Sequence, residues 1–355
     1  MGRAYLNHIA VAVPAQECHA ASSAIVRESA AAADRAVLAR VWPQLGIARR
    51  YTVLPRFWGS DDRAFYRPDH CPGTAERMAM FRAHAWPLAA QALDALFTAS
   101  GVPSRRSITH LIVTTCTGFY APGLDYDIVT QADLPPSTQR LVLGFMGCYA
   151  AIPALRHASA IVHSDPTARV LIVNVELCSL HFRPQAPLDQ LLTFLLFADG
   201  AAASVVSAEP RGLRLDGFHH ALVPASADAM QWQIHDHGFF MHLDAAIPQL
   251  VAAAVRTEQR AVCGPWAVPT VRHWAIHPGG RAILDAVAAS YALPDGALAD
   301  SRAVLRDYGN MSSATIMFVL QRMLAVAAPG PGVAMAFGPG LTLESMRFTI
   351  SGEVP

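Results

Sequence analysis

Cys148 is the residue whose type and setting in this sequence point most directly to chemistry. It follows a glycine between an apolar run with strand character, 141–145, and a stretch of small residues with helical spacing. A thiol at the start of a helix lies near unpaired backbone N–H groups and the positive end of the helix dipole, which favour its thiolate. The setting predicts a nucleophile, although a lone cysteine is otherwise often a small buried hydrophobe.

Two other glycine-flanked positions carry side chains that complement a thiol. His277 ends an apolar run and precedes Pro278 and two glycines, and Asn310 follows Gly309 ahead of a helix. An imidazole can hold a thiolate as an ion pair, and a carboxamide offers N–H donors to an oxyanion without adding charge. Taken singly, His277 is equally well explained as a turn residue and Asn310 as a helix cap. As a set with a cysteine, they predict chemistry on thioesters.

The elements that must position these residues alternate between buried strands and helices, which predicts a layered α/β protein. The periodicity predicts a strand over 5–13 and one helix over 22–41. It also predicts a long helix from Thr74 to about Gly101 and a helix over 247–260.

The sequence contains signs of an internal duplication. The segments 146–151 and 308–313 share a pattern of glycine, a residue with a reactive or polar side chain, and small residues at a helix start. They lie about half the chain apart, which indicates two similar halves that face one another. The alternation of elements pauses near 209–212. We therefore expect an N-terminal half, 1–210, that carries the cysteine, and a C-terminal half, 211–355, that carries the histidine and the asparagine.

Composition excludes several classes of function. The chain has 355 residues, 53% hydrophobic and 15% charged, which is enough for a substantial core. Its formal net charge is +0, so no basic character favours nucleic acid or an anionic membrane as a partner. All 27 basic residues are arginine. A sequence without lysine has no Schiff-base lysine, pyridoxal-phosphate anchor or Walker-type phosphate lysine.

Cysteine usage and hydropathy indicate where the protein works. The six cysteines have neither metal-type nor secreted-framework spacing, and no signal-peptide or membrane-spanning pattern is found. We expect a cytoplasmic protein with reduced thiols and no integral membrane association.

Six short motifs occur in order along the chain. They are Thr115-Cys-Thr-Gly118, Gly147-Cys148, Leu196-Phe-Ala-Asp-Gly-Ala-Ala202, His277-Pro-Gly-Gly280, Tyr308-Gly-Asn-Met-Ser-Ser313 and Phe337-Gly-Pro-Gly-Leu-Thr342. Together they resemble the signature blocks of type III polyketide synthases, the chalcone-synthase-like condensing enzymes. The resemblance covers nearly the whole chain. It implies a thiolase fold, a five-layered αβαβα sandwich of two similar halves, and a homodimer.

The resemblance also implies a mechanism. Cys148 takes an acyl group from an acyl-CoA starter. His277 and Asn310 then hold the thioester oxygen of malonyl-CoA as it decarboxylates, and the enolate attacks the acyl-enzyme. Phe197 falls at the family's gatekeeper position, with core packing as its alternative role. The resemblance implies CoA thioesters as substrates and neither a metal nor a redox cofactor.

The same resemblance assigns residues to the substrate pocket. Met241 stands at a second aromatic gate, Trp232 at a small cavity position and His181 at a threonine position. The expected substrate-binding set is completed by Cys116, Thr117, Ser312 and Gly279. The family's CoA-phosphate contacts include lysines, whereas this chain offers Arg40, Arg49 and Arg50 in that region, and Arg49 and Arg50 are the expected contacts.

Two kinds of product follow from these departures. Met241, Cys116 and Cys178 suggest an apolar pocket and favour a bacterial alkylpyrone or alkylresorcinol synthase that extends a fatty acyl-CoA starter. Trp232 favours the alternative, in which a shorter cavity gives a small pyrone, phloroglucinol or chalcone-type product.

Other functions are also compatible with parts of the pattern. A ketoacyl-ACP synthase III-like enzyme shares the expected fold but uses an acyl carrier protein. A degradative thiolase needs a second cysteine near the C-terminal part of the site, and Cys263 does not meet that need. A catalytically silent scaffold has no need of the three reactive residues. A zinc site would use His235, Asp236, His237 and His242, whose spacing is more typical of surface or pocket residues.

Overall fold

The computed structural model describes residues 3–183, 186–326 and 328–350. The strands in this part of the chain are β1 (Tyr5–Ala12), β2 (Gln16–Glu17), β3 (Tyr51–Thr52), β4 (His110–Thr115), β5 (Gln139–Gly144), β6 (Val170–Leu177), β7 (Asp199–Ser207), β8 (Leu213–Leu222), β9 (Met230–His235), β10 (Gly238–Leu243), β11 (His273–Ile276), β12 (Gly330–Gly338) and β13 (Thr342–Ile350). The α-helices are α1 (His19–Ser29), α2 (Arg35–Val41), α3 (Thr74–Thr98), α4 (Leu124–Gln131), α5 (Ala151–Ser164), α6 (Leu188–Phe194), α7 (Ile247–Thr257), α8 (Gln259–Cys263), α9 (Arg281–Ser290), α10 (Ala299–Tyr308) and α11 (Thr315–Val326).

Nine strands form two sets with the same topology, joined edge to edge. The first set has the order β5-β4-β6-β7-β1, and the second has the order β8-β13-β12-β11. In the first, β4 is parallel to β6, β6 is antiparallel to β7, and β7 is antiparallel to β1. In the second, β11 is parallel to β12, β12 is antiparallel to β13, and β13 is antiparallel to β8. The shared pattern is that of two similar halves.

The junction between the two sets of strands is short. It consists of two residue pairs between β1 and β8, Tyr5 with Arg214 and Leu6 with Leu213. Because the sets are joined by these two pairs alone, each of them is nearly a separate sheet.

The two sheets and the helices form five layers, and three hydrophobic clusters lie between them. Helix α3 packs on the outer face of the first sheet, with Phe81 in that cluster. Helices α5 and α11 lie between the sheets, with Leu155 and Ile316 in the central cluster. Helices α7 and α9 cover the second sheet, with Val251 and Leu284 in the third cluster. The predicted five-layered thiolase-type fold is confirmed.

The composition of α5 suits its central position. A helix that packs against a sheet on each side must be apolar over most of its surface. Residues 151–155 of α5 are all buried, and alanines such as Ala154 and Ala158 allow close approach of the sheets. Pro153 lies in the first turn, where a missing backbone N–H removes no hydrogen bond of the helix.

The predicted elements agree with the structure except in a few places. The single helix expected over 22–41 is interrupted, because Ala30 adopts an extended conformation and α2 begins only at Arg35. The alanine-rich composition continues through this break and therefore hides it. The helix expected over 247–260 ends at Thr257 and is followed by the short α8.

The β9–β10 hairpin and α10 were not predicted. One face of the hairpin is apolar, with Trp232 opposite Met241 and Ile234 opposite Phe239, and the other face is mostly polar, so the alternation typical of a strand was present in the sequence. Among the described residues, no helix has the length and apolar character that crossing a bilayer requires.

Candidate active site

Cys148 lies in a turn between β5 and α5. The helix begins at Ala151, three residues later than the sequence suggested, and Cys148 is 5% exposed. Gly147 adopts a φ of +86°, and a Cβ there would lie 2.4 Å from Cδ of Pro339. The turn therefore needs glycine because a loop of the C-terminal half packs directly on it.

Asn310 is fixed by its backbone and by its own side-chain oxygen. Its N–H donates to the carbonyl of Leu196 at 2.9 Å, and its carbonyl accepts from the N–H of Ala198 at 2.9 Å. Its Oδ1 accepts from the N–H of Ser312 at 2.8 Å. The contact of Nδ2 with the carbonyl of Gly279 is long, 3.4 Å, so this donor points toward the loop after β11 and keeps donor capacity for a ligand.

His277 stands at the end of β11 with its ring nitrogens unused. It is 1% exposed, and neither Nδ1 nor Nε2 has a hydrogen-bond partner among the described residues. Burial lowers the pKa of His277 to about 3. The imidazole is therefore neutral at pH 7 and offers one N–H and one lone pair to a reactant.

The three predicted reactive residues line one cavity of about 670 Å³, called here the larger cavity. Phe197, Met241 and Gly279 contribute to the same wall. Most of the remaining wall is apolar and comes from α2, α6, α7, α9 and adjoining loops, with Val41, Leu45, Leu192, Leu196, Ile247, Ala282 and Ile283 among its residues. The polar side chains of Asp189, Thr193, His242 and Asp244 also line the cavity. The fold thus brings together a thiol, an imidazole and a carboxamide that are far apart in sequence.

The thiol of Cys148 is not activated by its position before a helix. Burial raises the pKa of Cys148 to about 12, and hydrogen bonds with Ser312 and Asn310 offset this only in part. Burial thus opposes the thiolate that the sequence pattern favours. With His277 uncharged as well, the resting pair is a neutral thiol and a neutral imidazole.

A smaller cavity of about 50 Å³ adjoins the larger one. Phe197, Met241 and Thr193 line both cavities and form the wall between them. The predicted pocket residues Cys116, Thr117, His181, Trp232 and Ser312 all line the smaller cavity, together with Gly147, Cys178, Phe194 and Phe239. Apart from the two CoA contacts, every predicted site residue therefore borders one of these two adjoining cavities.

His181 closes part of the smaller cavity and uses both ring nitrogens in doing so. Its Nδ1 accepts from the N–H of Phe239 at 3.0 Å, so Nε2 carries the proton and donates to the carbonyl of Thr117 at 2.7 Å. Its ring stacks on Phe239 with centroids 4.4 Å apart. Burial lowers its pKa to about 3. The ring of His181 is thus an uncharged part of the cavity wall, and both of its nitrogens are already hydrogen-bonded within the protein.

Trp232 ties the β9–β10 hairpin to the end of β4. Its Nε1 donates to the carbonyl of Cys116 at 2.8 Å, and its ring meets those of His181 and Phe239 edge-on. The Sγ of Cys116 in turn accepts from the N–H of Gly147 at 3.0 Å. The indole is therefore linked through Cys116 to Gly147, the residue directly before Cys148.

Glu176 is a buried carboxylate beneath the site that the sequence reasoning did not single out. Its Oε2 accepts from the N–H of Cys116 and from Oγ1 of Thr117, both at 2.9 Å, and Oε1 accepts from Oγ of Ser313. Burial raises its pKa to about 7. The signal was present in the sequence, because Glu176 is the one charged residue inside the apolar run 170–177.

Arg50 is buried and hydrogen-bonded within the protein, which disfavours the predicted contact with CoA. It is 1% exposed, and its guanidinium donates to the carbonyls of Phe194 and Phe197, to Ser22 Oγ and to His19 Nδ1. Four of its five N–H donors are thus used within the protein. In sequence, the arginine pair 49–50 resembles an exposed basic patch. In the structure the pair precedes the short strand β3, and the side chain of Arg50 points inward.

Arg49 is exposed but borders neither cavity. Its guanidinium pairs with Asp307 at 3.0 Å. Val41 and Leu45 line the larger cavity instead, and Arg281 is near them, since its Cδ lies 3.9 Å from the position of a Cβ on Gly46.

The alternative zinc site finds no support in the geometry. His242 pairs with Asp189 at 3.3 Å, and His235 contacts Gln233 at 3.3 Å and stacks on Phe240. In the described ranges, no group of three or more histidine, cysteine or acidic side chains is arranged to hold a metal ion.

A thiolase-type fold with a thiol, an imidazole and a carboxamide on one buried wall defines a condensing acyltransferase. Residues 2–210 match the family model for the N-terminal domain of chalcone and stilbene synthases, and residues 215–350 match that for the C-terminal domain. The chain belongs to this family and is a type III polyketide synthase, a class of acyltransferases that uses CoA thioesters.

Relatives and solved structures agree with the assignment. Bisdemethoxycurcumin synthase of Oryza sativa subsp. japonica is 34% identical over 339 residues, 89% of this chain and 83% of that protein. The alpha-pyrone synthesis polyketide synthase-like Pks18 of Mycobacterium tuberculosis is 35% identical over 290 residues, 78% of this chain and 73% of that protein. PKS-I from the brown alga Ectocarpus siliculosus superimposes with a TM-score of 0.90 at 27% identity, over 99% of each chain. The type III domain of Steely1 from Dictyostelium has the same TM-score at 24% identity, over 98% of this chain and 99% of that one, and shares the fold.

Proposed function

We propose that this type III polyketide synthase extends an aliphatic acyl-CoA starter with malonyl-CoA and cyclises the product to an alkylpyrone or alkylresorcinol. The observation that carries the proposal is the pair of adjoining cavities. One holds the thiol, imidazole and carboxamide, and the other is an apolar chamber directly behind them.

The first step loads the starter on Cys148. The Sγ attacks the thioester carbonyl, His277 takes the thiol proton and passes it to the departing CoA sulfur, and an acyl-enzyme forms. Both groups are neutral in the resting protein, so proton transfer accompanies substrate binding. This order keeps a buried charge pair from forming before the substrate is present.

The second step uses the N–H donors of the same cavity. His277 and Asn310 Nδ2 hold the thioester oxygen of malonyl-CoA, so that loss of CO₂ leaves an enolate whose charge they stabilise. The enolate carbon attacks the acyl carbonyl, the C–S bond to Cys148 breaks, and a β-ketoacyl-CoA results. The Cys148 thiolate then takes up one proton from solvent, which restores the resting thiol. The steps balance with release of CO₂ and free CoA, and we propose that no separate cofactor takes part.

We propose that Phe197 and Met241 act as the gate between the cavities. They line both, and their apolar side chains disfavour a charged carboxylate while they accept a hydrocarbon chain. The thioether of Met241 adapts its shape more readily than an aromatic ring would.

The chemistry of the smaller cavity favours a hydrocarbon starter. Thr117 Oγ1 donates to Glu176, and Thr193 Oγ1 donates to the carbonyl of Asp189. His181 and Trp232 use their ring N–H groups within the protein. These four residues therefore offer mainly apolar surface to the chain that grows from Cys148, and burial of that chain supplies the binding energy. Arg183, Gln190 and Ser312 are further polar residues on the same wall.

A shorter starter is the second candidate, and Trp232 favours it. The hydrogen bond to Cys116 holds the indole across the smaller cavity, which is only about 50 Å³. If the ring stays in place, the acyl chain is limited in length and the product is a small pyrone, phloroglucinol or chalcone-type compound.

We propose that Arg281 contacts the phosphates of CoA, in place of Arg49 and Arg50. Arg281 begins α9, directly after Gly279 and Gly280 of the cavity wall, and its side chain is 57% exposed. Its one ion pair, with Asp285, is long at 3.6 Å. A guanidinium in this state is available for bidentate phosphate contacts.

We propose that the protein is a homodimer paired along β5. This strand is at the edge of the nine-stranded sheet, and Leu141, Val142 and the neighbouring Met146 are exposed. Phe119 and Tyr126 extend the same apolar surface. Exposed apolar edges are unfavourable in water and are normally covered. Light scattering should give the mass of a dimer, and Val142→Lys should give that of a monomer; a monomeric native protein contradicts the proposal.

The starter proposal is tested with purified protein, malonyl-CoA and a series of straight-chain acyl-CoAs from acetyl to palmitoyl, with products identified by mass. Highest kcat/KM for a chain longer than hexanoyl supports the fatty starter. Equal or better turnover of acetyl or aromatic starters supports the second candidate instead.

A further inference from the structure

Cys116 contacts both peptide groups of Gly147, the residue directly before Cys148. Its Sγ accepts from the N–H of Gly147 at 3.0 Å and donates to the carbonyl oxygen of the same residue at 3.6 Å. Burial raises the pKa of Cys116 well above its usual range, so the sulfur keeps its proton and can act as donor and as acceptor. The condensation steps leave this thiol without a role, although it lies beside the nucleophile.

Gly147 is the residue of this turn that most needs an external restraint. The peptide planes on its two sides are rigid, so its φ and ψ alone decide how the next residue, Cys148, is directed. Glycine has no Cβ and is the least restricted of all residues, and Gly147 adopts a φ of +86°. A sulfur that is bonded to the N–H of one plane and to the C=O of the other restrains both angles.

Cys116 is well placed to supply this restraint, because its own backbone is held on both sides. Its N–H donates to Oε2 of Glu176 at 2.9 Å, and its carbonyl accepts from Nε1 of Trp232 at 2.8 Å. Gly147 in turn lies close to Pro339, whose Cδ would be 2.4 Å from a Cβ on the glycine. An anchored supporting residue can hold a reacting group within the small tolerance that its chemistry allows.

We propose that Cys116 is a positioning residue, which holds the Gly147 turn through two hydrogen bonds of its sulfur and so directs the thiol of Cys148 toward His277. This role is separate from the contribution of Cys116 to the cavity wall. The inference rests on the proposed loading of Cys148 and adds a residue to that step. Decarboxylation of malonyl-CoA uses His277 and Asn310 and does not depend on the direction of the thiol.

Two variants of Cys116 separate its hydrogen bonds from its volume. Cys116→Ala removes both bonds, whereas Cys116→Ser keeps a donor and an acceptor on a shorter side chain. Loading is followed by intact mass in a single turnover, with the straight-chain acyl-CoA that the native protein uses best. The rate should fall by about 10- to 100-fold in Cys116→Ala, since a small displacement of a reacting group costs this much, and clearly less in Cys116→Ser. Release of CO₂ from malonyl-CoA alone should change by less than about twofold in both variants.

Hydrogen exchange over residues 146–150, measured by mass spectrometry, tests the restraint without any substrate. Exchange should be faster in Cys116→Ala than in the native protein, because the N–H of Gly147 loses its acceptor and the turn opens more easily. Cys263→Ala is the control. It removes another buried thiol, which lies outside both cavities, and should leave exchange and loading as they are in the native protein.

Equal losses of loading in Cys116→Ala and Cys116→Ser overturn the inference, because the volume of the side chain would then be responsible. A loss of decarboxylation as large as that of loading overturns it too, since the damage would not be confined to the thiol. Native rates of loading and exchange in Cys116→Ala have the same consequence. A native protein that neither loads an acyl group nor decarboxylates malonyl-CoA overturns the proposed function instead, and hydrogen exchange then decides whether the sulfur holds the turn.

Discussion

Arg50 donates a hydrogen bond from Nη1 to the carbonyl oxygen of Phe197 at 2.8 Å, and it does so from a fully buried position. A second bond from Nη1 to Phe194 at 2.7 Å holds the end of α6. The segment that carries the gate residue is thus fixed from behind by an arginine of the N-terminal region. Arg50 resembles a phosphate ligand in sequence, but in the structure it supports the segment that forms part of the cavity wall.

Replacement of Arg50 by methionine should destabilise the protein by about 3 kcal/mol or more, because two carbonyls, a hydroxyl and an imidazole nitrogen lose their donor inside the protein. Urea unfolding measures the change. Arg49→Met is the matched control and should cost no more than about 1 kcal/mol, since an exposed ion pair contributes little. Equal effects of the two variants contradict the assignment.

Replacement of Glu176 by glutamine should remove part of the pH dependence of stability. The pKa of Glu176 is about 7 in the folded protein against 4.5 in the unfolded chain, so the folded state binds more protons between these values. Its contribution is complete below about pH 4.5 and is lost as the pH rises through 7, by an amount on the order of 3 kcal/mol.

The urea midpoint of the native protein should therefore fall between pH 5 and 8 more than that of Glu176→Gln. The amide can keep the bonds from Cys116 and Thr117 with its oxygen, and Ser313 can turn its hydroxyl to accept. Parallel pH profiles for the two proteins are the result that this account does not allow.

Replacement of Asn310 by aspartate should separate loading from condensation. The change keeps the size and the acceptor toward Ser312 but replaces the Nδ2 donor with an oxygen, which repels the enolate. Condensation should fall by about 10²–10³-fold. Intact-mass analysis should still find the acyl group on Cys148, and its absence there places Asn310 in the loading step instead.

Replacement of Trp232 by alanine should move the optimum starter to longer chains. The change removes the indole from the smaller cavity and frees the carbonyl of Cys116. Chain-length profiles with malonyl-CoA measure the shift. Trp266→Ala, outside both cavities, is the control. An unchanged profile in Trp232→Ala shows that another group sets the length.

Replacement of Arg281 by alanine should raise KM for malonyl-CoA by about three- to tenfold with little change in kcat, because a phosphate contact at the cavity mouth is made equally before and during reaction. The effect should shrink at high salt. Arg302→Ala is a matched control, since Arg302 pairs with the same Asp285 at 2.6 Å. If both variants raise KM alike, the loss of Asp285 pairing is responsible.

The sequence by itself determined the family, the two-halved fold and the three residues proposed for chemistry. Strand ends, glycine turns and helix starts are local patterns, and Cys148, His277 and Asn310 each stand at one of them. The continuous apolar character of the central strands likewise reflects burial of both of their faces. Such features are encoded within a few neighbouring residues and can be read without knowledge of the fold.

The tertiary structure decided what depends on distant neighbours. Burial sets the charge state of Cys148 and His277 against the expectation from the helix start, because desolvation comes from residues throughout the chain. Whether an arginine side chain is buried, as in Arg50, or exposed, as in Arg281, is decided by the elements that pack around it and not by its neighbours in sequence. The partners of Glu176 lie 59 to 137 residues away in the chain, which no local pattern contains.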